Sequence, residues 1–314
     1  MVAARTVIVV NPASQGGKLR KRWPEVCDVI ARAFPFDDVH TKAPGDATVL
    51  VRDALRAGAD RIVALGGDGT INEVVNGFFD DGRAIASEAT FAVIPFGTGG
   101  DFRRTFDIPT DTAQAAAIIA KGHRKKIDVG RLDFRRLDGD KATRMFANIA
   151  SFGVSGVVDR LVNESGKKLG RLSYVLATAR AAWSYQNQRV ALTFDDHSED
   201  RVEATIHTVA VANARYFGGA MLIAPNAEVD DGMFDVVAMG DLRIGDLVTG
   251  GLRLFKGTHL AMDKVTARRA RVIDAEPIDP QAVVELDVDG EPLGKLPARF
   301  EVLPAALWMV VPSA

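Results

Sequence analysis

Residues 64–73 constrain the fold most, because an apolar strand runs there directly into a turn with three glycines and one acid. Gly66, Gly67 and Gly69 carry no Cβ, so main-chain N–H groups in this turn can approach an anion closely. A helix expected to start near Thr70 would add the positive end of its dipole. The segment predicts a phosphate-binding turn, although such a turn taken alone is also an ordinary tight connection.

Two better-known glycine motifs do not fit this chain. Asn72 stands where a dinucleotide-binding fingerprint requires its third glycine, and residues 16–18 lack the upstream glycine and the following Ser or Thr of a P-loop. Hydride transfer and P-loop chemistry are therefore disfavoured. Asp68, inside the glycine turn, supplies a charge suited to a metal-bridged nucleotide.

The composition indicates a two-domain protein with no general affinity for nucleic acid. A chain of 314 residues exceeds one ordinary core, and a net charge of −2 leaves no excess cations for a phosphate backbone. The 5 histidines lack zinc-like spacing, and Cys27 has no partner for an internal disulfide. Signal-peptide and membrane-spanning patterns are absent from the sequence. We expect a cytoplasmic protein that contacts the inner face of the membrane only transiently.

Strand and helix signals alternate through residues 1–126, which predicts a parallel sheet covered by helices in a three-layer α/β, Rossmann-like domain. The predicted strands lie at 7–10, 39–42, 61–65 and 91–94, and the predicted helices at 19–33, 47–57, after Thr70 and at 112–120. In such sheets ligands bind beyond the carboxyl ends of the strands. Polar or glycine-rich turns at 11–18, 66–70 and 96–101 fall at those ends, so we expect them to converge.

Residues 127–304 carry mostly strand-like runs and predict an antiparallel β-sandwich domain with helical insertions. The runs lie at 144–154, 190–194, 204–214, 233–239, 265–273 and 283–288. Two insertions, at 169–184 and 244–255, fit core-facing helices, with a lipid-facing wall as the alternative. The run at 307–311 makes residues 305–314 a candidate return to the first domain.

Six segments in the same order resemble the catalytic domain of the diacylglycerol kinase and sphingosine kinase superfamily, in particular the soluble bacterial diacylglycerol kinases. They lie at 10–18, 66–73, 95–102, 127–130, 224–235 and 289–291, so the resemblance covers nearly the whole chain. It implies an NAD-kinase-like two-domain fold. It also implies an ATP- and Mg²⁺-dependent kinase that phosphorylates a lipid hydroxyl, with diacylglycerol as the expected substrate and phosphatidic acid as the product. Phosphoryl transfer relies on positioning and charge neutralisation, which amides and carboxylates supply.

The resemblance implies a role for individual residues. Those expected to handle metal and proton at the cleft between the domains are Asp68, Asp101, Asp128 and Glu291. Glu291 would be the general base, whereas its local sequence alone indicates a turn carboxylate. Residues expected to hold ATP are Asn11, Pro12, Ala13, Ser14, Gln15, Thr41, Gly67, Asp68, Gly69, Thr70, Ile71, Asn72, Glu73 and Thr98. A structural Mg²⁺ would bind the Asp231 side chain and the carbonyl oxygens of Glu228 and Met233.

One position departs from the family pattern. Gly100 stands where the family usually has Asn, before the retained Asp101 and Phe102, which predicts lower activity or a different acceptor. Two alternatives therefore stay open: an NAD-kinase-like phosphotransferase, and a nucleotide- or lipid-binding protein without turnover. The expected partners are a membrane lipid substrate and a second copy of the chain, paired through an exposed β-edge, and not nucleic acid.

Overall fold

The computed structural model describes residues 4–164, 185–242 and 244–313. The chain divides into two compact units: Met1–Val129 together with Pro304–Ala314, and Gly130–Leu303. The helical insertion predicted at 169–184 lies outside the described residues. Within the described residues, no helix is both long enough and apolar enough to cross a bilayer.

The first unit is built on a parallel sheet. Its elements are β1 (Thr6–Val10), α1 (Ser14–Ala31), β2 (Asp37–His40), α2 (Asp46–Arg56), β3 (Arg61–Gly66), α3 (Asp68–Gly77), β4 (Phe79–Asp80), β5 (Arg83–Ala84), β6 (Thr90–Pro95), α4 (Asp101–Thr105) and α5 (Thr112–Lys121). Strands β6, β3, β1 and β2 lie side by side in that order, all parallel. Strands β1 and β6 are buried along their whole length, as expected where helices cover both faces.

The predicted alternation of strands and helices in this unit is confirmed, with two differences at the turns. Residues Gln15, Gly16 and Gly17 adopt left-handed conformations with φ of 51°, 66° and 85°, so the regular part of α1 starts after them. Helix α4 was not predicted, because five residues are too few to display helical periodicity.

The second unit is mainly antiparallel. Its elements are β7 (Arg124–Arg135), β8 (Lys141–Phe146), β9 (Ile149–Gly153), α6 (Val154–Glu164), β10 (Gln188–Phe194), β11 (His197–Ile206), β12 (Thr208–Ala212), β13 (Tyr216–Phe217), β14 (Met221–Leu222), β15 (Phe234–Met239), α7 (Ile244–Lys256), β16 (Val265–Ala270), β17 (Val272–Pro277), β18 (Glu285–Val288) and β19 (Glu291–Val310). Strands β16, β15, β12, β9, β18 and β19 are neighbours in that order, and β10 pairs with β11 and β17. Strand β7 begins in the first unit and β19 ends there, where Trp308 and Met309 pair in parallel with β6.

Three of the predicted strand runs are each two strands. The run at 144–154 breaks between β8 and β9, the run at 204–214 between β11 and β12, and the run at 265–273 between β16 and β17. On β9 and β12, alternate residues join two different apolar clusters, Phe152 and Val211 in one and Ile149 and Ala210 in the other. Both faces of β9 and β12 are therefore buried, and the breaks before them, at Asn148 and His207, contain neither Gly nor Pro to mark a strand end.

Candidate active site

The turns after β3 and β6 touch through two glycines. A Cβ built on Gly97 would lie 2.5 Å from the Cα of Gly67, and a Cβ on Gly67 would lie 3.3 Å from the Cα of Gly97. Only main chain fits at this contact, so the two turns lie directly against each other. Gly66 is similarly crowded, because its Cβ would lie 2.5 Å from Oγ1 of Thr70.

Two amide side chains attach the first turn to the other two. Nδ2 of Asn11 donates to Oγ1 of Thr70 at 2.9 Å, and Nε2 of Gln15 donates to the carbonyl oxygen of Gly97 at 3.2 Å. Oδ1 of Asn11 also accepts the N–H of Ala13 at 3.0 Å, which orders the turn itself. The three turns therefore converge within the first unit, as the ends of parallel strands should.

Asp68 holds the third turn in place. Its carboxylate accepts the N–H of Gly100 at 2.7 Å and the N–H of Phe102 at 3.3 Å. Burial raises the pKa of Asp68, the nearby Asp101 carboxylate raises it further, and the main-chain N–H donors oppose both effects. Asp101 is buried and pairs with Arg104 at 3.3 Å. Two of the four predicted acids therefore share one environment.

The other residues predicted to contact the nucleotide differ in their burial and in their hydrogen bonds within the protein. Ser14 has a buried Oγ without a hydrogen-bond partner in the described part of the chain, whereas Thr98 is exposed. Thr41 donates its N–H to the carbonyl oxygen of Val10 at 3.0 Å. Thr98 is therefore accessible to a ligand, whereas the Oγ of Ser14 is covered by the protein itself.

Two predicted nucleotide contacts on α3 have partners within the protein. Glu73 accepts the N–H groups of Gly45 and Ala47 at 2.9 and 3.2 Å, which stabilises the start of α2. Asn72 is buried, and its carbonyl oxygen accepts a hydrogen bond from Nδ2 of Asn76 at 2.8 Å. The hydrogen bonds of these two residues therefore stabilise the fold around α3.

The remaining predicted acids lie in different settings. Asp128, on β7 in the first unit, is 1% exposed and accepts the N–H of Ala305 at 2.7 Å. Glu291 lies in the second unit, where it opens β19 after the β18–β19 turn and pairs with Arg144 at 3.2 Å. The local prediction of a hairpin carboxylate is confirmed for Glu291, and its function as a base stays a prediction.

The predicted magnesium loop contains a cluster of carboxylates around one guanidinium. Asp231 accepts the N–H of Met233 at 3.0 Å and pairs with Arg269, whose Nε lies 3.9 Å from Asp235. Burial raises the pKa of Asp235, Arg269 lowers it, and the Asp231 and Glu228 carboxylates raise it again. The side chain that the resemblance assigns to Mg²⁺, Asp231, is therefore paired with a guanidinium in this structure. Within the described residues, no group of three or more His, Cys, Asp or Glu side chains is arranged as a metal site.

A pocket of about 290 Å³ opens beside the converging turns, entirely within the first unit. Its lining includes Gly67, Asp68 and Thr98, which the sequence predicted. It also includes Arg22 and Arg103, which the sequence analysis did not assign to the site. The sequence contains one indication that Arg103 belongs to the site, namely its position directly after Asp101-Phe102. Arginines on exposed helix faces are common, so this indication was too weak to assign it.

Comparison with known proteins identifies the family. Residues 5–132 match the model described as diacylglycerol kinase catalytic domain, and residues 148–311 match the YegS C-terminal NAD kinase beta sandwich-like domain. The chain belongs to the diacylglycerol kinase family. It is accordingly a phosphotransferase with an alcohol acceptor, and the predicted fold class, an α/β domain followed by a β-sandwich domain, is confirmed.

Individual relatives agree over nearly the full length. Diacylglycerol kinase of Staphylococcus carnosus is 28% identical over 94% of this chain and 91% of its own length. Diacylglycerol kinase of Mycobacterium tuberculosis H37Rv is 29% identical over 94% of this chain and 87% of its own. A Bacillus anthracis crystal structure, provisionally designated a diacylglycerol kinase, has a TM-score of 0.76 at 28% identity and covers 98% of this chain and 96% of that chain. Yeast NADH kinase, with a TM-score of 0.52, 12% identity and coverage of 99% and 84%, shares the fold.

Gly97→Ala should lower the melting temperature, because the added Cβ meets the main chain of Gly67, which can move only if the turn moves. We expect a cost of about 1–3 kcal/mol, as for other overpacked sites. Gly251→Ala is the matched control, since a Cβ there meets no atom within 4 Å and the residue lies in α7. The control should be neutral or slightly stabilising. Equal melting temperatures for the two variants, measured by calorimetry, would refute the close contact.

Proposed function

We propose that this protein is an ATP- and Mg²⁺-dependent lipid kinase that transfers the γ-phosphate to a lipid hydroxyl, with diacylglycerol as substrate and phosphatidic acid as product. The observation that carries the proposal is the convergence of three strand-end turns. Two of them touch through Gly67 and Gly97, and the side chains of Asn11 and Gln15 attach the third. Such turns offer N–H groups to phosphate oxygens. The names of the relatives support diacylglycerol as the acceptor.

The residues around the turns fit a nucleotide. Thr98 is exposed and lines the pocket, and the main-chain N–H groups of the glycine turn would face the phosphates of the nucleotide. The resemblance assigns Mg²⁺ to acids from separate segments. Two of these acids, Asp68 and Asp101, lie so close together that the charge of Asp101 raises the pKa of Asp68. A divalent cation bound there would neutralise phosphate charge and relieve this repulsion.

In the proposed reaction Glu291 acts as the general base. It removes the proton of the lipid hydroxyl as that oxygen attacks the γ-phosphorus. The bond between the γ-phosphorus and the bridging oxygen breaks, and ADP leaves. Arg144 pairs with Glu291 at 3.2 Å and orients its carboxylate.

Helix α7 supports peripheral contact with the membrane that holds the lipid. Leu252 is 75% exposed and Phe255 53% exposed, and their spacing of three residues puts them on one face. Arg253 and Lys256, which follow them, are also exposed. Large apolar side chains flanked by cations suit the interface of a bilayer with anionic lipids.

The activity test is incubation with radiolabelled ATP and Mg²⁺ and separate acceptors: diacylglycerol, sphingosine, ceramide, phosphatidylglycerol, a polyprenol and NAD. We expect label in a chloroform-soluble product, most strongly with diacylglycerol. Glu291→Gln should lower turnover by ~10²-fold or more, the usual contribution of a positioned base. Glu199→Gln, an exposed acid of the same unit, is the control. Label in NAD and in none of the lipids would favour an NAD-kinase-like enzyme, whose fold is shared.

Magnesium should stabilise the folded protein through the Asp231 loop. At a free concentration about 100-fold above Kd, one bound ion adds about 2.7 kcal/mol, so the melting temperature should rise. Asp231→Asn should remove most of this rise, whereas Asp230→Asn, an exposed neighbour outside the predicted ligand set, should retain it. Sodium chloride of equal ionic strength controls for screening. A rise of the same size in the Asp231 variant would contradict the assignment.

The membrane proposal is tested by sedimentation with phosphatidylglycerol-containing vesicles. A Leu252→Ser, Phe255→Ser double variant should bind at least ~10²-fold more weakly, since each side chain contributes about 1.5–3 kcal/mol when buried. Leu137→Ser, which removes an apolar side chain that is 57% exposed elsewhere, should bind like the parent. Unchanged vesicle binding in the double variant, or a changed oligomeric state as its only effect, would contradict membrane contact by α7.

A further inference from the structure

Arg103 lies over a position that has no side chain. A Cβ built on Gly100 would lie 2.9 Å from Nε of Arg103 and 3.4 Å from its Cδ. Gly100 has a left-handed backbone, with φ of 68° and ψ of 40°, and immediately precedes α4. The Arg103 side chain therefore occupies space that the Cβ of any residue other than glycine at position 100 would overlap.

We propose that Arg103 is a phosphate-binding residue that contacts the terminal phosphate of the nucleotide, and that the absence of a side chain at Gly100 makes room for it. The proposal rests on the proposed function for the identity of the ligand. The position of Arg103 in the pocket beside Gly67 and Thr98 puts its cation next to the converging turns. A guanidinium offers a rigid set of donors that matches phosphate oxygens.

The three arginines of this pocket differ in how their charges are satisfied. Arg22 pairs with Glu25 at 3.0 Å, and Arg104 pairs with Asp101 at 3.3 Å. Arg103 donates to the carbonyl oxygen of Ile108 at 3.1 Å, and within the described residues it has no carboxylate at ion-pair distance. Of the three, Arg103 is therefore the one whose charge no carboxylate matches at ion-pair distance in the described part of the chain.

The electrostatic surroundings of Arg103 also favour an added anion. The side chain is half-buried. Burial lowers the pKa of Arg103, the neighbouring Arg104 lowers it further, and Asp68 and Asp101 oppose these effects. A bound phosphate would replace lost hydration with charge-assisted hydrogen bonds and would offset the repulsion from Arg104.

The direct test is equilibrium binding of ATP, ADP, AMP and inorganic tripolyphosphate by the full chain. Arg103→Gln should weaken ATP and tripolyphosphate binding by about 10-fold or more, the expected loss of one charged hydrogen-bonded contact. It should weaken ADP less and leave AMP unchanged, because the contact is with the end of the phosphate chain. Arg103→Lys should recover part of the loss. Arg83→Gln, an exposed arginine of the same unit, is the control.

A second variant tests the relation to Gly100 without removing Arg103. Asparagine tolerates the left-handed backbone, but its Cβ would displace the guanidinium, so Gly100→Asn should weaken ATP and tripolyphosphate binding as Arg103→Gln does. The two losses should not add in the double variant. Melting temperatures of all variants verify folding.

The outcomes separate this proposal from the activity. Equal tripolyphosphate binding by the parent and Arg103→Gln proteins, or additive losses in the double variant, would overturn the role of Arg103. A parent protein that binds tripolyphosphate through Arg103 but neither binds ATP nor phosphorylates lipid would refute the lipid kinase and retain the anion site. Binding of neither ATP nor tripolyphosphate by the parent would overturn both.

Discussion

The close approach of Gly67 and Gly97 is the constraint on which the rest of the site depends. With a Cβ on either residue the turns after β3 and β6 would separate, and the hydrogen bonds that cross between them would lengthen. Those bonds include the ones from Gly100 and Phe102 to Asp68. The glycines thus do more than permit unusual backbone angles, because they let two main chains share the space normally filled by side chains.

Burying Asp68 within this contact carries an electrostatic cost. Its raised pKa means that the folded protein favours the protonated form more than the unfolded chain does. Asp68 therefore favours folding at a pH below the pKa of its carboxyl in the unfolded chain. This contribution to stability is lost as the pH rises through the higher pKa of the folded protein. The two N–H donors from the third turn offset part of the cost. A cation near Asp68 and Asp101 would offset more, so the repulsion that weakens the protein without ligand favours ligand binding.

Much of the architecture could be predicted from sequence, and the misses have physical causes. The parallel sheet was predictable because β1, β3 and β6 are short apolar runs that end in turn residues. The breaks around Asn148 and His207 were not, because each is only one or two residues long and contains neither Gly nor Pro, so no turn signal separates the two strands. Within the site, motif spacing identified the converging turns but not the partners of each side chain. Glu73 matches a nucleotide motif, yet its carboxylate binds the start of α2, a contact between segments that spacing alone does not reveal.

The substitution at Gly100 illustrates why a departure from a family pattern cannot be interpreted from one position. Taken alone, the loss of an amide predicts a weaker site and motivated the alternative of a binding protein without turnover. In the structure the vacated space holds the side chain of Arg103, with Nε 2.9 Å from where a Cβ would stand. The guanidinium of Arg103 thereby takes the place of the amide of the family's usual Asn. The other two arginines of the pocket, Arg22 and Arg104, are paired with carboxylates. Because a guanidinium binds phosphate more strongly than an amide does, the exchange is compatible with an active site, and the substitution by itself no longer argues for an inactive protein.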